Sequence, residues 1–252
     1  MNRILLVLPV KTNLLKRKER IESQPADGWV EIGGLSIHYK CEGTGNPVLL
    51  LHGGGNDWHE WQQNLPVLAS HFRIYALDLP GFGMSEAPDF PVSLNWYVEF
   101  LKSYCDKLGL IRFDMIAHSM GALLAIIFAV NYSYYLNKLV LIDASGMGKL
   151  SKKGHFLVNF FRILDHLLKK RRGPRYISGS VDDWLVINQL NKIKSPVLLI
   201  WGQKDLYLPV EHAQVARSLI PDCQLYIFPD CGHAPQRENP AEFNRLVLEF
   251  LK

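Results

Sequence analysis

Three side chains of this sequence could together carry out nucleophilic catalysis: Ser119, Asp205 and His233. A serine hydroxyl is a weak nucleophile, so it needs a histidine to take its proton and a carboxylate to orient that histidine. The three residues occur in the order serine, acid, histidine, which is a known order for such a group. Because they lie far apart along the chain, the fold must bring them together.

Ser119 lies between two segments of different character. Residues 112–116 have the pattern of a buried strand, and residues 122–130 form an apolar helical run. A sharp turn from strand to helix strains the serine backbone and leaves no room for bulky neighbours. Small residues stand two positions to either side, Ala117 and Gly121. Ala117 takes the place of a more usual glycine, and we expect its extra methyl group to be tolerated.

Asp205 and His233 each come just after a predicted strand. Because the carboxyl ends of parallel strands share one edge of a sheet, both side chains are expected near Ser119. Asp143 also ends a predicted strand and is an alternative acid. Asp230 is close to His233 in sequence, but such proximity is more typical of a turn.

The other histidines lack a comparable setting. His118 directly precedes Ser119, and we interpret it as a residue that packs against the helix or the sheet. Structural roles are likewise expected for the remaining candidates, because histidines are commonly buried or half-buried for structural reasons. These are His38, His59, His71, His155, His166 and His212.

A glycine-rich turn could stabilise the oxyanion that forms when a serine attacks a carbonyl. Residues 52–55 read His-Gly-Gly-Gly and follow the predicted strand 47–51. Glycines let the main chain approach a substrate closely. We predict that the backbone amides of Gly54 and Met120 form the oxyanion hole. A glycine turn with no catalytic part is the alternative.

From Trp29 onward the sequence alternates strand and helix patterns, which predicts a mostly parallel eight-stranded sheet with helices on both faces. Strand patterns occupy residues 29–32, 35–40, 47–51, 72–77, 112–116, 138–142, 197–201 and 224–228. Helical patterns occupy residues 94–108, 122–130, 209–219 and 240–251.

Three regions follow from these patterns. Residues 1–28 are predicted to be an N-terminal extension, and residues 29–146 and 194–252 form the α/β core. Residues 147–193 lack strand patterns, and we predict that they form a short helical lid over the ligand-binding edge of the sheet. Within and beside this lid, residues 149–175 carry nine basic side chains and one acid. An ordinary solvated helix could have the same pattern.

The composition is that of a soluble globular protein. The 252-residue chain is 48% hydrophobic and 21% charged, with a formal net charge of +4. Its four cysteines form no pair with metal-ligand spacing and give no sign of disulfides, so we expect a cytoplasmic protein without a metal. The apolar run 4–10 is too short to span a bilayer, although it could contact a membrane surface.

Taken together, these motifs resemble the α/β-hydrolase superfamily, in its capped branch of esterases and C–C hydrolases. The resemblance runs from Trp29 to Leu251. It rests on residues 50–54 (LLHGG), 78–85 (DLPGFGMS), 117–121 (AHSMG), 201–205 (WGQKD) and 232–235 (GHAP). The resemblance implies Ser119 as nucleophile, Asp205 as acid and His233 as base. Haloalkane dehalogenases and epoxide hydrolases carry aspartate in place of Ser119, so neither activity is expected.

The resemblance and the motifs predict a cofactor-free serine hydrolase that cleaves a carboxylic ester through an acyl-enzyme. Trp58, Phe82 and Met147 are expected to line an apolar substrate site. A C–C hydrolase or a thioesterase would use the same three residues. A receptor with this fold and little turnover is a further alternative.

The basic lid suggests a partner. We expect it to recruit either an anionic membrane surface or an acidic carrier protein that bears the substrate. A nucleic-acid partner is not expected, because the basic segments contain no known binding module.

Overall fold

The computed structural model describes residues 26–167 and 184–252. Over these residues the chain forms one eight-stranded sheet, with helices packed on both of its faces. The predicted α/β-hydrolase fold with a mostly parallel sheet is confirmed. The predicted extension lies outside the described residues except for its last three, and so does part of the predicted lid.

The strands of the sheet lie in the order β1-β2-β4-β3-β5-β6-β7-β8. The pairs β1·β2 and β2·β4 are antiparallel, and the other neighbouring pairs are parallel. The bounds are β1 (Ala26–Ile32), β2 (Leu35–Glu42), β3 (Pro47–Leu51), β4 (Arg73–Leu77), β5 (Phe113–His118), β6 (Leu136–Ile142), β7 (Val197–Gly202) and β8 (Cys223–Phe228). The central strands are buried on both faces, which is why they read as continuous apolar runs.

The helices cover the sheet from two sides and create two apolar cores. One face carries α2 (Leu94–Lys107), α3 (Ser119–Asn131) and α5 (Glu211–Leu219). The other carries α1 (Leu65–Ala69) and α7 (Pro240–Leu251). The short helix α6 (Pro235–Glu238) directly follows the segment that contains His233. Helix α3 is buried almost all round, as its uniformly apolar sequence predicts.

Most predicted elements occur within a few residues of their expected bounds. Strand β1 begins at Ala26 rather than Trp29, because Ala26 pairs with Cys41 across the opening hairpin. Helices α1 and α6 were not predicted. They are five and four residues long, too short to show helical periodicity in the sequence.

Helix α4 (Lys152–Leu167) lies in the predicted lid region and is tied to the segment after β7. The amide of Ser151 donates to the carbonyl of Tyr207 at 2.9 Å, and its hydroxyl bonds the carbonyl of Leu206. Gly154 lies against the Tyr207 backbone, where a Cβ would come within 2.8 Å of the carbonyl oxygen. The start of α4 is therefore packed beside Asp205.

Two sequence features fall outside the described residues. These are the apolar run 4–10 and the densest part of the basic segment, residues 169–172. Within residues 26–167 and 184–252, none of the helices combines the length and apolar character needed to cross a bilayer.

Gly121 lets the start of α3 approach the end of β3 closely. A Cβ at this position would lie 2.5 Å from the carbonyl oxygen of His52 and 2.7 Å from that of Leu51. No real Cβ tolerates such distances from backbone atoms, so the packing of α3 on β3 requires glycine here.

We therefore expect Gly121→Ala to lower the free energy of unfolding by about 1–3 kcal/mol through overpacking. In an ordinary helix the same substitution raises stability by roughly 0.5–1 kcal/mol, so the sign is diagnostic. The measurement is the urea midpoint at unchanged m-value. A variant as stable as the wild type would show that Gly121 does not pack closely against the carbonyl oxygens of His52 and Leu51.

Candidate active site

Ser119 is the first residue of α3 and directly follows β5. Its backbone adopts the left-handed conformation, with φ at +51°. This conformation is rare for residues other than glycine and costs of order 1–3 kcal/mol. It produces an abrupt change of direction that leaves Ser119 half-buried, while the residues around it in β5 and α3 are buried. The predicted strand–turn–helix around the serine is present.

A continuous chain of hydrogen bonds joins Ser119, His233 and Asp205. The Ser119 hydroxyl lies 3.0 Å from Nε2 of His233, and Nδ1 of His233 lies 2.7 Å from Oδ2 of Asp205. An ionised carboxylate can only accept, so Nδ1 carries the ring proton and Nε2 is free to accept from the serine. The structure thus brings Ser119, His233 and Asp205 together as the sequence predicted.

Asp205 is held by more than the histidine. Its side chain is fully buried, and Oδ1 accepts from the amides of Tyr207 at 2.7 Å and Leu208 at 3.1 Å. Burial alone would raise the pKa of Asp205, but the bond to His233 and these two amides outweigh it and lower the pKa. The carboxylate therefore stays ionised and in one orientation.

His233 has the electrostatics of a neutral base. Burial lowers its pKa below 6.5, and the nearby positive charge of His118 acts in the same direction. The bond to Asp205 opposes these effects without cancelling them. The imidazole is therefore unprotonated at neutral pH and able to take a proton from Ser119.

Asp143 lies close to the hydrogen-bonded chain of Ser119, His233 and Asp205, but it is Asp205 that binds the histidine. Oδ1 of Asp143 accepts from the amide of Gly202 at 3.0 Å. Burial, together with the negative charge of Asp205, raises the pKa of Asp143 well above its usual range, so this carboxyl stays protonated. The rival acid Asp230 lies on the surface, where it pairs with Lys204 at 2.8 Å.

Asp143, Asp205 and His233 also form a cluster of metal-ligand type, with ligand atoms within 4.8 Å of one another. Those atoms are already engaged, because His233 is bonded to both Asp205 and Ser119. Asp143 is a poor metal ligand as well, because burial and the charge of Asp205 raise its pKa and keep it protonated. The arrangement is accounted for by the hydrogen-bonded chain itself.

The glycine-rich turn after β3 lies against Ser119. A Cβ on Gly53 would come within 3.3 Å of the Ser119 Cβ, and one on Gly54 within 3.7 Å of the Met120 Cβ. Nδ1 of His52 donates to the carbonyl of Gly53 at 2.8 Å. Since that carbonyl and the Gly54 amide belong to one planar peptide and point in opposite directions, the bond also orients the amide. The oxyanion role of Gly54 and Met120 stays a prediction.

His118 has a role that the sequence analysis did not find. It is buried as expected, but its Nδ1 forms an ion pair with Glu60, and its Nε2 donates to the backbone carbonyl of His233 at 2.6 Å. The interpretation of His118 as a packing residue was therefore incomplete. No spacing in the sequence connects Glu60 to His118, because folding of separate loops creates the contact.

The three predicted substrate-binding residues occupy different settings. Met147 is buried in the core that also contains α3, and Phe82 packs edge-on against the His52 ring, with the ring centroids 5.3 Å apart. Trp58 is half-buried, stacks on His59 at 4.0 Å and lies under the Lys40 ammonium. Their part in substrate binding stays a prediction.

Solved structures with the same fold include enzymes of several specificities. A meta-cleavage product hydrolase from Pseudomonas fluorescens IP01 aligns with a TM-score of 0.76 at 25% identity, over 89% of this chain and 97% of its own. A carboxylesterase from Bacillus subtilis aligns with a TM-score of 0.77 at 21% identity, over 90% and 92%. The fold is therefore shared with both kinds of hydrolase.

Curated relatives and a family profile place the chain more closely. A 2-hydroxy-6-oxo-6-phenylhexa-2,4-dienoate hydrolase from Burkholderia cepacia is 29% identical, over 87% of this chain and 92% of the relative. A 2-hydroxy-6-oxononadienedioate/2-hydroxy-6-oxononatrienedioate hydrolase from Comamonas testosteroni is 28% identical, over 87% and 92%. The profile of the alpha/beta hydrolase family matches residues 48–246. This protein therefore belongs to the alpha/beta hydrolase family.

Proposed function

We propose that this protein is a serine hydrolase that cleaves a carboxylic ester through an acyl-enzyme. The observation that carries the proposal is the hydrogen-bonded chain from Ser119 through His233 to Asp205. A neutral imidazole in contact with a serine hydroxyl, and oriented by an ionised carboxylate, is the arrangement that activates serine as a nucleophile.

In the proposed mechanism, Ser119 attacks the ester carbonyl while Nε2 of His233 accepts its proton. The imidazolium then gives this proton to the leaving alcohol, which leaves the acyl group on the serine. Water repeats the sequence with the same base and releases the acid. Asp205 stabilises the imidazolium in both halves, and the amides of Gly54 and Met120 would bind the developing oxyanion.

Aromatic and thioether side chains surround Ser119 and His233, which supports a substrate with an apolar acyl or alcohol group. The Tyr207 ring lies 4.8 Å from the His233 ring, and a Cβ placed on Gly54 would lie 3.6 Å from Sδ of Met120. Trp58, Phe82 and Met147 complete the substrate contacts that we propose. Apolar walls around a few polar groups are typical of sites for small organic ligands.

Cleavage of a carbon–carbon bond is a second candidate, because the curated relatives at 28–29% identity are hydrolases of 2-hydroxy-6-oxo-dienoates. Such substrates have a ketone that a serine or an activated water can attack. The same base would then protonate a carbon instead of an oxygen. A thioester would follow the ester route with a thiol as the leaving group.

A substrate panel tests the proposal and separates these reactions. We expect turnover of p-nitrophenyl esters with a clear preference in acyl-chain length, and rapid labelling of Ser119 by a fluorophosphonate. Ser119→Ala should lower kcat by roughly 10⁶-fold and abolish labelling. Faster cleavage of a 2-hydroxy-6-oxo-dienoate than of any ester would favour the second candidate. Labelling without turnover of any substrate would favour a receptor.

The two neighbouring carboxyls should respond differently to loss of charge. Asp205→Asn is expected to lower kcat by roughly 10⁴-fold, because His233 loses the partner that orients and stabilises its protonated form. Asp143→Asn should change kcat by less than about tenfold, since Asp143 is already uncharged and its amide can still accept from Gly202. Both are measured on one ester at one pH. Equal losses would show that the acid is misassigned.

We further propose that the lid region docks on an anionic lipid surface. Phe156, Phe160 and Ile163 follow one another at helical spacing on α4 and are 69%, 49% and 62% exposed. Lys152 and Lys153 are exposed at the start of the same helix. An apolar stripe beside cations is characteristic of a helix that lies in a membrane interface. This favours a lipid surface over an acidic carrier protein.

Charge reversal in the basic segment tests this docking. We expect replacement of Lys169, Lys170, Arg171 and Arg172 by glutamate to reduce activity on esters in phosphatidylglycerol vesicles by about tenfold or more, since each cation near an anionic surface contributes about 1 kcal/mol. Activity on a small soluble ester should not change. The matched control reverses four exposed cations elsewhere, Lys107, Lys194, Arg217 and Lys252.

Equal activity of the variant and the wild type on these vesicles would refute lipid docking. A loss confined to carrier-bound esters would identify the acidic carrier as the partner instead.

A further inference from the structure

The segment that carries His233 is held at three backbone positions in a row. The carboxylate of Glu238 accepts from the amide of Gly232 at 2.7 Å and from that of Ala234 at 3.0 Å. The carbonyl of His233 itself accepts from Nε2 of His118 at 2.6 Å. The position of the proposed base therefore depends on a side chain from the nucleophile strand, one residue before Ser119.

The other nitrogen of His118 leads to a buried carboxylate. Nδ1 of His118 forms an ion pair with Glu60, and the two side chains are only 3% and 1% exposed. Glu60 also accepts from the amide of Gly53 at 2.7 Å and from the side-chain amide of Gln236 at 2.7 Å. Glu60 thus contacts the predicted oxyanion turn, the nucleophile strand and the helix that follows His233.

The partners of His118 determine its protonation. Nε2 donates to a carbonyl oxygen and Nδ1 lies in ion-pair contact with a carboxylate, and the imidazolium is the form of the ring that suits both neighbours. Burial alone would lower the pKa of His118, but the charge and hydrogen bond of Glu60 outweigh burial and raise it. Burial likewise opposes ionisation of Glu60, yet His118 and the Gly53 amide lower its pKa to about 2. Each charge is stable because of the other.

We propose that His118 and Glu60 are positioning residues for catalysis, which together hold the His233 backbone in register with Ser119 and the oxyanion turn. Neither residue touches the reacting atoms. His118 acts through the His233 carbonyl, and Glu60 acts through the Gly53 amide. The inference rests on the proposed function only in taking His233 as the base.

Two replacements of His118 separate positioning from simple structural support. In His118→Gln the side-chain amide can reach the position of Nε2 and still donate to the His233 carbonyl, but it no longer contacts Glu60. In His118→Asn the shorter amide can replace Nδ1 opposite Glu60, but it does not reach His233. Each variant keeps one of the two contacts and loses the other.

We expect the catalytic rate and the stability of these variants to rank in opposite orders. His118→Asn should lower kcat by about 10- to 100-fold with KM nearly unchanged, because a small misplacement of a catalytic group has effects of this size. His118→Gln should retain most of the rate yet have the lower melting temperature, because it leaves the buried Glu60 carboxylate without the donor that the Asn variant still supplies. Rates that simply follow the melting temperatures, or equal rates, would overturn the proposal.

Substitutions of Glu60 provide an independent test should either His118 variant fail to fold. Glu60→Gln keeps an acceptor for the Gly53 amide and lets a neutral His118 still donate to His233, so we expect kcat within about threefold of the wild type. Glu60→Ala leaves the Gly53 amide without its acceptor and should lose tenfold or more. Glu249→Gln on the surface of α7 is the matched control. Equal kcat values for the two Glu60 variants would overturn the proposal.

The rate of Ser119 labelling by a fluorophosphonate is recorded for every variant. Wild-type protein that is not labelled would refute the proposed function itself. Labelling that is normal in the wild type and unchanged in His118→Asn would refute only the positioning role.

Discussion

The whole site depends on holding Ser119 in a left-handed backbone conformation between β5 and α3. Such a conformation is unfavourable by of order 1–3 kcal/mol and persists only where the surroundings enforce it. Here β5 pairs on both sides within the sheet, and α3 is buried along nearly its whole length. The close contact at Gly121 fixes the start of α3 against β3. The packing of the apolar core thus offsets the cost of the strained backbone conformation that exposes the serine.

A second constraint is the burial of three carboxyl groups near one another, and each is accommodated in a different way. Asp205 stays charged because two amides and His233 stabilise it. Glu60 stays charged because the His118 cation is adjacent. Asp143 accepts from the Gly202 amide, but burial outweighs this bond and Asp143 stays protonated. Burial is the main reason that Asp143 stays protonated and His233 stays neutral, and the charges on Asp205 and His118 act in the same direction on Asp143 and His233 respectively.

The sequence predicted the elements that follow local rules. Continuous apolar runs identified the central strands, and the residues at their carboxyl ends, Asp205 and His233, could be placed at the edge that also bears Ser119. What could not be predicted arises from contacts between distant loops. Glu60 lies in a short 3₁₀ helix after β3, and its pairing with His118 depends on how that segment packs on the serine turn. No periodicity or spacing records such packing.

The choice between an ester and a carbon–carbon bond does not depend on the serine, the histidine or the acid. After attack on a carbonyl, either reaction needs a leaving group that can take the proton held by His233. An alkoxide accepts it readily, whereas a carbon leaving group must first spread its negative charge over a conjugated system. The contacts that favour one substrate must therefore lie around the leaving group. Helix α4 begins beside Tyr207, whose ring lies 4.8 Å from the His233 ring, so this part of the chain is placed to contribute some of them.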